Sequence, residues 1–232
     1  MLSVRHRDEA FGEDYEPPSG RAYAETCATI ADIEWSWRML LANGVTTAPC
    51  AGSVERELYN ALVAAADHSG TKFFYSNPLQ LRPDRVGEEN APRERQSWYL
   101  CACCPPNIAR TLVQLGACMA SSTNESLYVH QLAPMEVDIP EHLGRGVVEV
   151  RTTYPQGGSL EVSLRGELAP CKDVRVRVPD GVQHSLHSET ESGYLVLGNL
   201  LQEPFTVTST AAPRVVQANP RVDAVRGCVA LM

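Results

Sequence analysis

Apolar positions along this chain follow two different periods. From Thr26 to about Asn43 the residues Ile30, Ile33, Trp37, Leu40 and Leu41 recur at helical spacing, and Gly44 follows as a stop. A second helix is expected from an N-cap at Ser53, with Leu58, Leu62, Ala65 and Ala66 on one face and Gly70 just past its end. Phe73-Phe74-Tyr75 reads as a short strand or extended stretch closed by Asn77-Pro78. A third helix opens at Pro105-Pro106, where a fixed φ suits the first turn, and runs through Ile108, Leu112 and Leu115 toward Met119. Beyond Ser121 the period becomes two. Leu160, Val162 and Leu164 alternate with Glu161, Ser163 and Arg165, and Val174, Val176 and Val178 alternate with Arg175 and Arg177. Further strands are expected over 126–133, 146–153, 193–198 and 204–210. One apolar and one polar face per strand is what a sandwich of antiparallel sheets requires. The charged stretch from Arg82 to Arg95, with Pro83 and Pro92, reads as an exposed loop.

Composition sharpens this division. Residues 1–120 hold 17 Ala and 6 Val, whereas 121–232 hold 7 Ala and 17 Val. Ala favours helix and Val favours strand, so an α + β, multidomain chain is expected, helical first and β second. The 28 acidic and 20 basic residues leave a net charge of −8. That balance argues against a general binder of nucleic-acid backbones, which needs a basic face. No apolar run approaches the ~18 residues of a membrane span. The opening Met1-Leu2-Ser3-Val4-Arg5-His6-Arg7 turns charged at once, unlike a secretory signal. A cytoplasmic globular protein is the expectation.

Cysteine is the unusual component. Three of the eight crowd into Cys101-Ala102-Cys103-Cys104, and adjacent cysteines bridge each other only with backbone strain. Cys103 and Cys104 precede the third helix, where unpaired backbone N–H groups and the positive end of the helix dipole favour thiolate over thiol. Thiolates bind Zn²⁺, and a carboxylate can complete a tetrahedral shell. Glu25 and Cys27 stand two residues apart where the first helix begins, so an extended backbone there points both side chains the same way. Glu25, Cys27, Cys103 and Cys104 thus make a reasonable four-ligand set, although the spacing is not the usual pair of C-x₂-C units. The blander readings stand beside it. Cys50, Cys118, Cys171 and Cys228 read as small apolar core side chains. Cys101 stands between core and a supporting role beside the cluster. Glu9 and Glu25 taken singly would be surface carboxylates, and His6, His68 and His130 surface or satisfied histidines. Trp35 and Trp37 read as helix packing rather than a sugar platform.

Five segments, in this order, carry a resemblance: RHRDEAFG, RAYAETCATI, VERELYNALVAAADHSGTKFFYSNPL, CACCPPNIARTLVQLG and LYVHQLAP. Together they resemble the glycoside hydrolases of family 127, the β-L-arabinofuranosidases, and CACCPPN with an upstream ETC is the most specific part. The resemblance implies a Zn²⁺ held by Glu25, Cys27, Cys103 and Cys104. It implies Cys103 as nucleophile, Glu9 as general acid/base and Tyr75 as a contact in the sugar subsite. It also implies a retaining hydrolase that releases β-L-arabinofuranose from the non-reducing ends of an oligosaccharide or glycoside.

The fold so implied is part of an (α/α)₆ catalytic barrel over residues 1–121, followed by an antiparallel β-sandwich over 122–232 that stops before its last strands. Family members are much longer, so the chain is expected to be a C-terminal fragment. Its exposed helix faces would call for a missing N-terminal portion of chain or a homo-oligomer, and alone it is expected to aggregate or to lack activity. Two other classes remain open: a non-catalytic, zinc-stabilised carbohydrate-binding or assembly module, and a thiol redox protein. The second would need a C-x-x-C within a βαβ pattern, which is not present.

Overall fold

The computed structural model describes residues 14–15, 23–44, 48–78, 81, 83, 91–185, 190–198, 205–211 and 213–231. Glu9 and His6 lie outside them, as does most of the expected loop between Arg82 and Arg95. The chain is mixed α and β, with few helices and several sheets, and it divides into two compact units. One gathers Met1–Ser36, Ser53–Val113 and Pro213–Met232; the other gathers Trp37–Gly52 and Gln114–Ala212. No helix among the described residues is long and apolar enough to cross a membrane.

In the first unit, strand β1 (Ala24–Glu25) leads directly into helix α1 (Thr26–Ala42), whose residues from Trp37 onward, with Ala48–Gly52 of the next helix, belong to the second unit. β1 pairs antiparallel with β2 (Ser76–Asn77), placing Glu25 opposite Ser76. The junction is tied twice, by Thr26 N–H to the Tyr75 carbonyl at 2.9 Å and Thr26 Oγ1 to the Phe74 carbonyl at 2.8 Å. Ile30 and Ile33 are buried on the expected stripe. α1 stops as the pattern requires, with Gly44 at φ 71 and its N–H on the Leu41 carbonyl. The second helix corrects the expected start. α2 spans Ala48–Arg56, passes through a π-helical turn at Glu57–Leu62 and ends as α3 (Val63–Ala65). Ser53 lies inside it, because Pro49 suits a first turn whose N–H groups have no helical acceptor. Val54, Leu58, Leu62 and Ala65 are buried along one face. Phe73-Phe74-Tyr75 takes the extended rather than the strand form. Phe73 exchanges single bridges with Gln96, and the paired residues come only after Tyr75. α4 covers Cys104–Gln114. At the chain's other end β13 (Val215–Gln217) pairs antiparallel with β14 (Val229–Leu231).

The second unit carries two five-stranded sheets. The strands are β3 (Ala120–Ser122), β4 (Ser126–Val129), β5 (Met135–Asp138), β6 (Gly144–Thr152), β7 (Ser159–Leu168), β8 (Asp173–Arg177), β9 (Val182–His184), β10 (Thr190–Glu191), β11 (Tyr194–Val196) and β12 (Phe205–Ala211). Their orders are β10-β11-β8-β4-β3 and β5-β6-β7-β12-β9. Alternation places Leu127, Val129, Val174, Val176 and Leu195 of the first sheet, and Val148, Val150, Leu160 and Val162 of the second, in one apolar cluster. The expectation of purely antiparallel sheets needs correction, since β4 and β8 run parallel. The chain leaves β4 for the other sheet, builds β5–β7 there and re-enters in the same direction, where no hairpin can operate. The β6–β7 ladder puts Gly146 opposite Gly166. Both hold φ values closed to other residues, 119° and 142°, and each backbone lies where the other's Cβ would stand.

A polar node closes the first of these sheets. His130 is fully buried; its Nε2 meets Ser121 Oγ at 2.8 Å and its Nδ1 meets the Tyr194 hydroxyl at 2.8 Å. Arg177 Nε donates to its carbonyl at 2.6 Å, Tyr128 stacks on the ring, and Trp37 meets it edge-on. His130 is therefore a satisfied core histidine. Burial, reinforced by the Arg177 charge, pushes its pKa down from 6.5 to about 4.

Candidate metal centre

The strand-to-helix junction and the start of α4 bring four donor atoms together. Glu25 comes from the end of β1, Cys27 from the second residue of α1, Cys103 from just before α4 and Cys104 from its first residue. One ligand atom from each lies within 4.8 Å of all the others. The sulfurs stand 3.4 Å (Cys27 to Cys103), 3.5 Å (Cys27 to Cys104) and 3.8 Å (Cys103 to Cys104) apart. Thiolates ~2.3 Å from one tetrahedral ion would stand ~3.8 Å apart. The cluster is thus close to the size that a single ion demands. Its lining is an aromatic wall of Tyr23, Phe73, Tyr75 and Tyr99, all buried with Cys104.

The donor set also fits a cation electrostatically. On the protein's own groups, Cys27 is drawn down to about 6, first by the hydrogen bond from Cys104 and then, against the opposing cost of burial, by Asn107 and Cys103. Cys104 moves the other way, because its hydrogen bond with that sulfur favours its thiol form and because it is buried. Burial pushes Cys103 up to about 11, with Tyr75 acting in the opposite sense. One sulfur of the three therefore carries charge near neutral pH without further help, and a divalent cation is the natural agent for ionising the others. Glu25, only 7% exposed, adds a carboxylate at the same spot.

The structure places the remaining expected residues as follows. Tyr75 is buried at 4% exposure, and its hydroxyl hydrogen-bonds the Cys103 sulfur. Burial, then that thiol, holds the phenol well above its usual range and so protonated. Glu9 falls outside the described residues. Cys101 is exposed, beside the cluster in sequence but not a member of it. Cys50 and Cys118 are half-buried, while Cys171 and Cys228 are exposed, which overturns the core reading for those two. Cys171 lies in a short turn with Pro170, and Cys228 follows the Arg226–Gly227 turn.

Two features of the site are absent from the expectations. The backbone donors foreseen at the start of α4 are largely missing, because Pro105 and Pro106 have no N–H and the next one, of Asn107, bonds the Cys103 carbonyl at 3.3 Å. The side chain of Asn107 takes up that part, donating from Nδ2 to Cys27 Sγ at 3.0 Å. An amide three residues after a Cys pair in a Pro-led helix was the available signal.

The chain is similar to known proteins of one family. The family model for the β-L-arabinofuranosidase GH127 catalytic domain matches residues 2–117. The non-reducing end β-L-arabinofuranosidase of Bifidobacterium longum subsp. longum is 29% identical over 255 aligned residues, covering 100% of this chain and 37% of that protein. Among solved structures, a GH127 β-arabinofuranosidase superposes with a TM-score of 0.83 at 27% identity, over 99% of this chain and 39% of its own. The GH127 β-L-arabinofuranosidase of Geobacillus stearothermophilus T6 superposes at 0.81 and 27% identity, over 100% and 39%. The chain spans less than two-fifths of the length of these relatives.

Proposed function

The chain belongs to glycoside hydrolase family 127, and from that premise we propose that it carries the nucleophile and metal-binding part of a retaining β-L-arabinofuranosidase site. The observation that supports this most is the convergence of Glu25, Cys27, Cys103 and Cys104 beside a buried tyrosine. A Zn²⁺ on these four ligands would supply the positive charge that keeps the sulfurs ionised at neutral pH. The substrate is an L-arabinofuranose unit at the non-reducing end of an oligosaccharide or glycoside. The Cys103 thiolate attacks its anomeric carbon, and Glu9 gives a proton to the departing glycosidic oxygen. Glu9 then takes a proton from water, whose oxygen displaces the Cys103 sulfur and releases the sugar with retained configuration. A thiolate so takes the place of the usual carboxylate nucleophile. Tyr75, its hydroxyl on the Cys103 sulfur, orients that atom and contacts the sugar.

The surrounding architecture belongs to the same proposal: residues 1–121 as part of an (α/α)₆ barrel and 122–232 as a β-sandwich. Covalent labelling distinguishes this reading from a purely structural zinc module. A bromoacetamide attached to an arabinofuranosyl ring is incubated with the zinc-loaded chain, and peptide mapping locates the label. The expected result is alkylation at Cys103, suppressed by excess L-arabinose. Labelling that ignores the competitor, or spreads over the exposed Cys101, Cys171 and Cys228, would refute the proposed sugar site.

A further inference from the structure

The three sulfurs of the cluster have unequal surroundings. Cys104 is wholly buried, Cys103 is half-buried and meets the Tyr75 hydroxyl, and Cys27 receives an amide N–H. That amide stands where a helix start would ordinarily offer backbone donors, and the two prolines remove those donors. Asn107 is also firmly seated. Its own N–H bonds the Cys103 carbonyl at 3.3 Å, and its carbonyl accepts Thr111 Oγ1 at 2.8 Å. The Nδ2 donor is therefore carried on a turn whose backbone is held at both groups.

We infer that Asn107 is a positioning residue of the metal centre: its amide fixes the Cys27 sulfur as a permanent anchor ligand. The inference rests on the proposed metal–thiolate reading. A hydrogen bond into a thiolate draws charge from the sulfur, so Cys27 stays a ligand but becomes a poorer nucleophile. An amide does this without titrating, so the anchor is held at every pH at which the site is loaded. Division of labour follows, with Cys27 held by the amide, Cys104 by burial, and Cys103 facing the tyrosine wall where the sugar is proposed to sit.

The test uses the full 232-residue chain loaded with Co²⁺, whose thiolate charge-transfer bands report the sulfurs directly. Wild type is compared with Asn107→Leu and with Asn107→Asp, the latter isosteric, without the donor and well suited to a helix first turn. Both variants are expected to shift the sulfur-to-cobalt bands to lower energy. Both should also weaken Zn²⁺ binding 10–100-fold in competition with a chelator. Unchanged bands in the two variants overturn the inference, whether or not affinity falls, since a general loosening of α4 would lower affinity alone. A wild-type chain that takes no Co²⁺ into a thiolate environment overturns the metal reading itself, and is recognised before any variant is made.

Discussion

Acidification should unfasten the second unit through a single side chain. His130 is fully buried with both ring nitrogens occupied, and its pKa is depressed from 6.5 to about 4, by burial and then by Arg177. In the unfolded chain the ring binds a proton below about 6.5. In the folded chain it stays neutral down to about 4. Between those limits the unfolded state holds more protons, so stability falls as pH falls. The contribution is fully present above 6.5 and gone below 4. At ~1.4 kcal/mol per pH unit, the difference amounts to roughly 3 kcal/mol. Of the ring's described partners, Arg177 repels a proton, and burial holds the Tyr194 hydroxyl protonated. The assay is urea unfolding at several pH values from 7.5 to 4, followed by tryptophan fluorescence, since Trp37 lies edge-on to the ring at 5.5 Å. His130→Gln retains hydrogen bonding but cannot titrate. Wild type should lose roughly 3 kcal/mol more than the variant over this range. Superposable pH profiles would refute the assignment of this acid sensitivity to His130.

Other substitutions address the remaining elements. Gly166→Ala puts a Cβ into the Arg145 carbonyl at a φ of 142°, with rigid backbone on both sides. A loss of about 1–3 kcal/mol is expected in chemical denaturation, against little change for Ala at the open Gly116. Thr26→Val removes the hydroxyl tie to the Phe74 carbonyl and should cost about 1 kcal/mol, with a matching loss of Zn²⁺ affinity because Cys27 is the next residue. Chelator treatment should lower the melting temperature of the zinc-loaded chain, and Zn²⁺ should restore it; an identical transition in both forms would count against a bound ion. On the proposed mechanism, Cys103→Ser should abolish hydrolysis of aryl arabinofuranosides, and Glu9→Gln should slow those with poor leaving groups most, which a series of such substrates measures.

Much of this could be read from residue order because the signals are local. Glu25 and Cys27 are two apart, Cys103 and Cys104 adjacent, and each pair stands at the start of a helix, the second marked by Pro105-Pro106. The two-residue period likewise marked β6, β7 and β8, since one face of each is buried in a single cluster. What escaped depends on the third dimension or on competing local choices. Ser53 resembles a cap, yet Pro49 starts the helix earlier. The parallel register of β4 and β8 leaves no trace in either strand, because alternation is the same for both directions. Cys171 and Cys228 looked apolar by residue type alone, and only the fold exposes them. The amide of Asn107 reaches across eighty positions to Cys27, a distance no periodicity spans.

The parallel partnership of β4 and β8 also sets an order of assembly. β5, β6 and β7 follow one another as antiparallel neighbours, so each pairing closes a short loop and can form as soon as its residues are present. β4 has no such neighbour on the β8 side until Asp173–Arg177 arrives, after all three of those strands. During synthesis its hydrogen-bonding edge toward β8 therefore waits, with Leu127 and Val129 short of their later cover from Val174 and Val176. Seating β8 between β4 and β11 is then a non-local closure, of the kind that slows folding. Substitutions that weaken β8, such as Val174→Ala or Val176→Ala, should lengthen the time over which that edge is available to other chains.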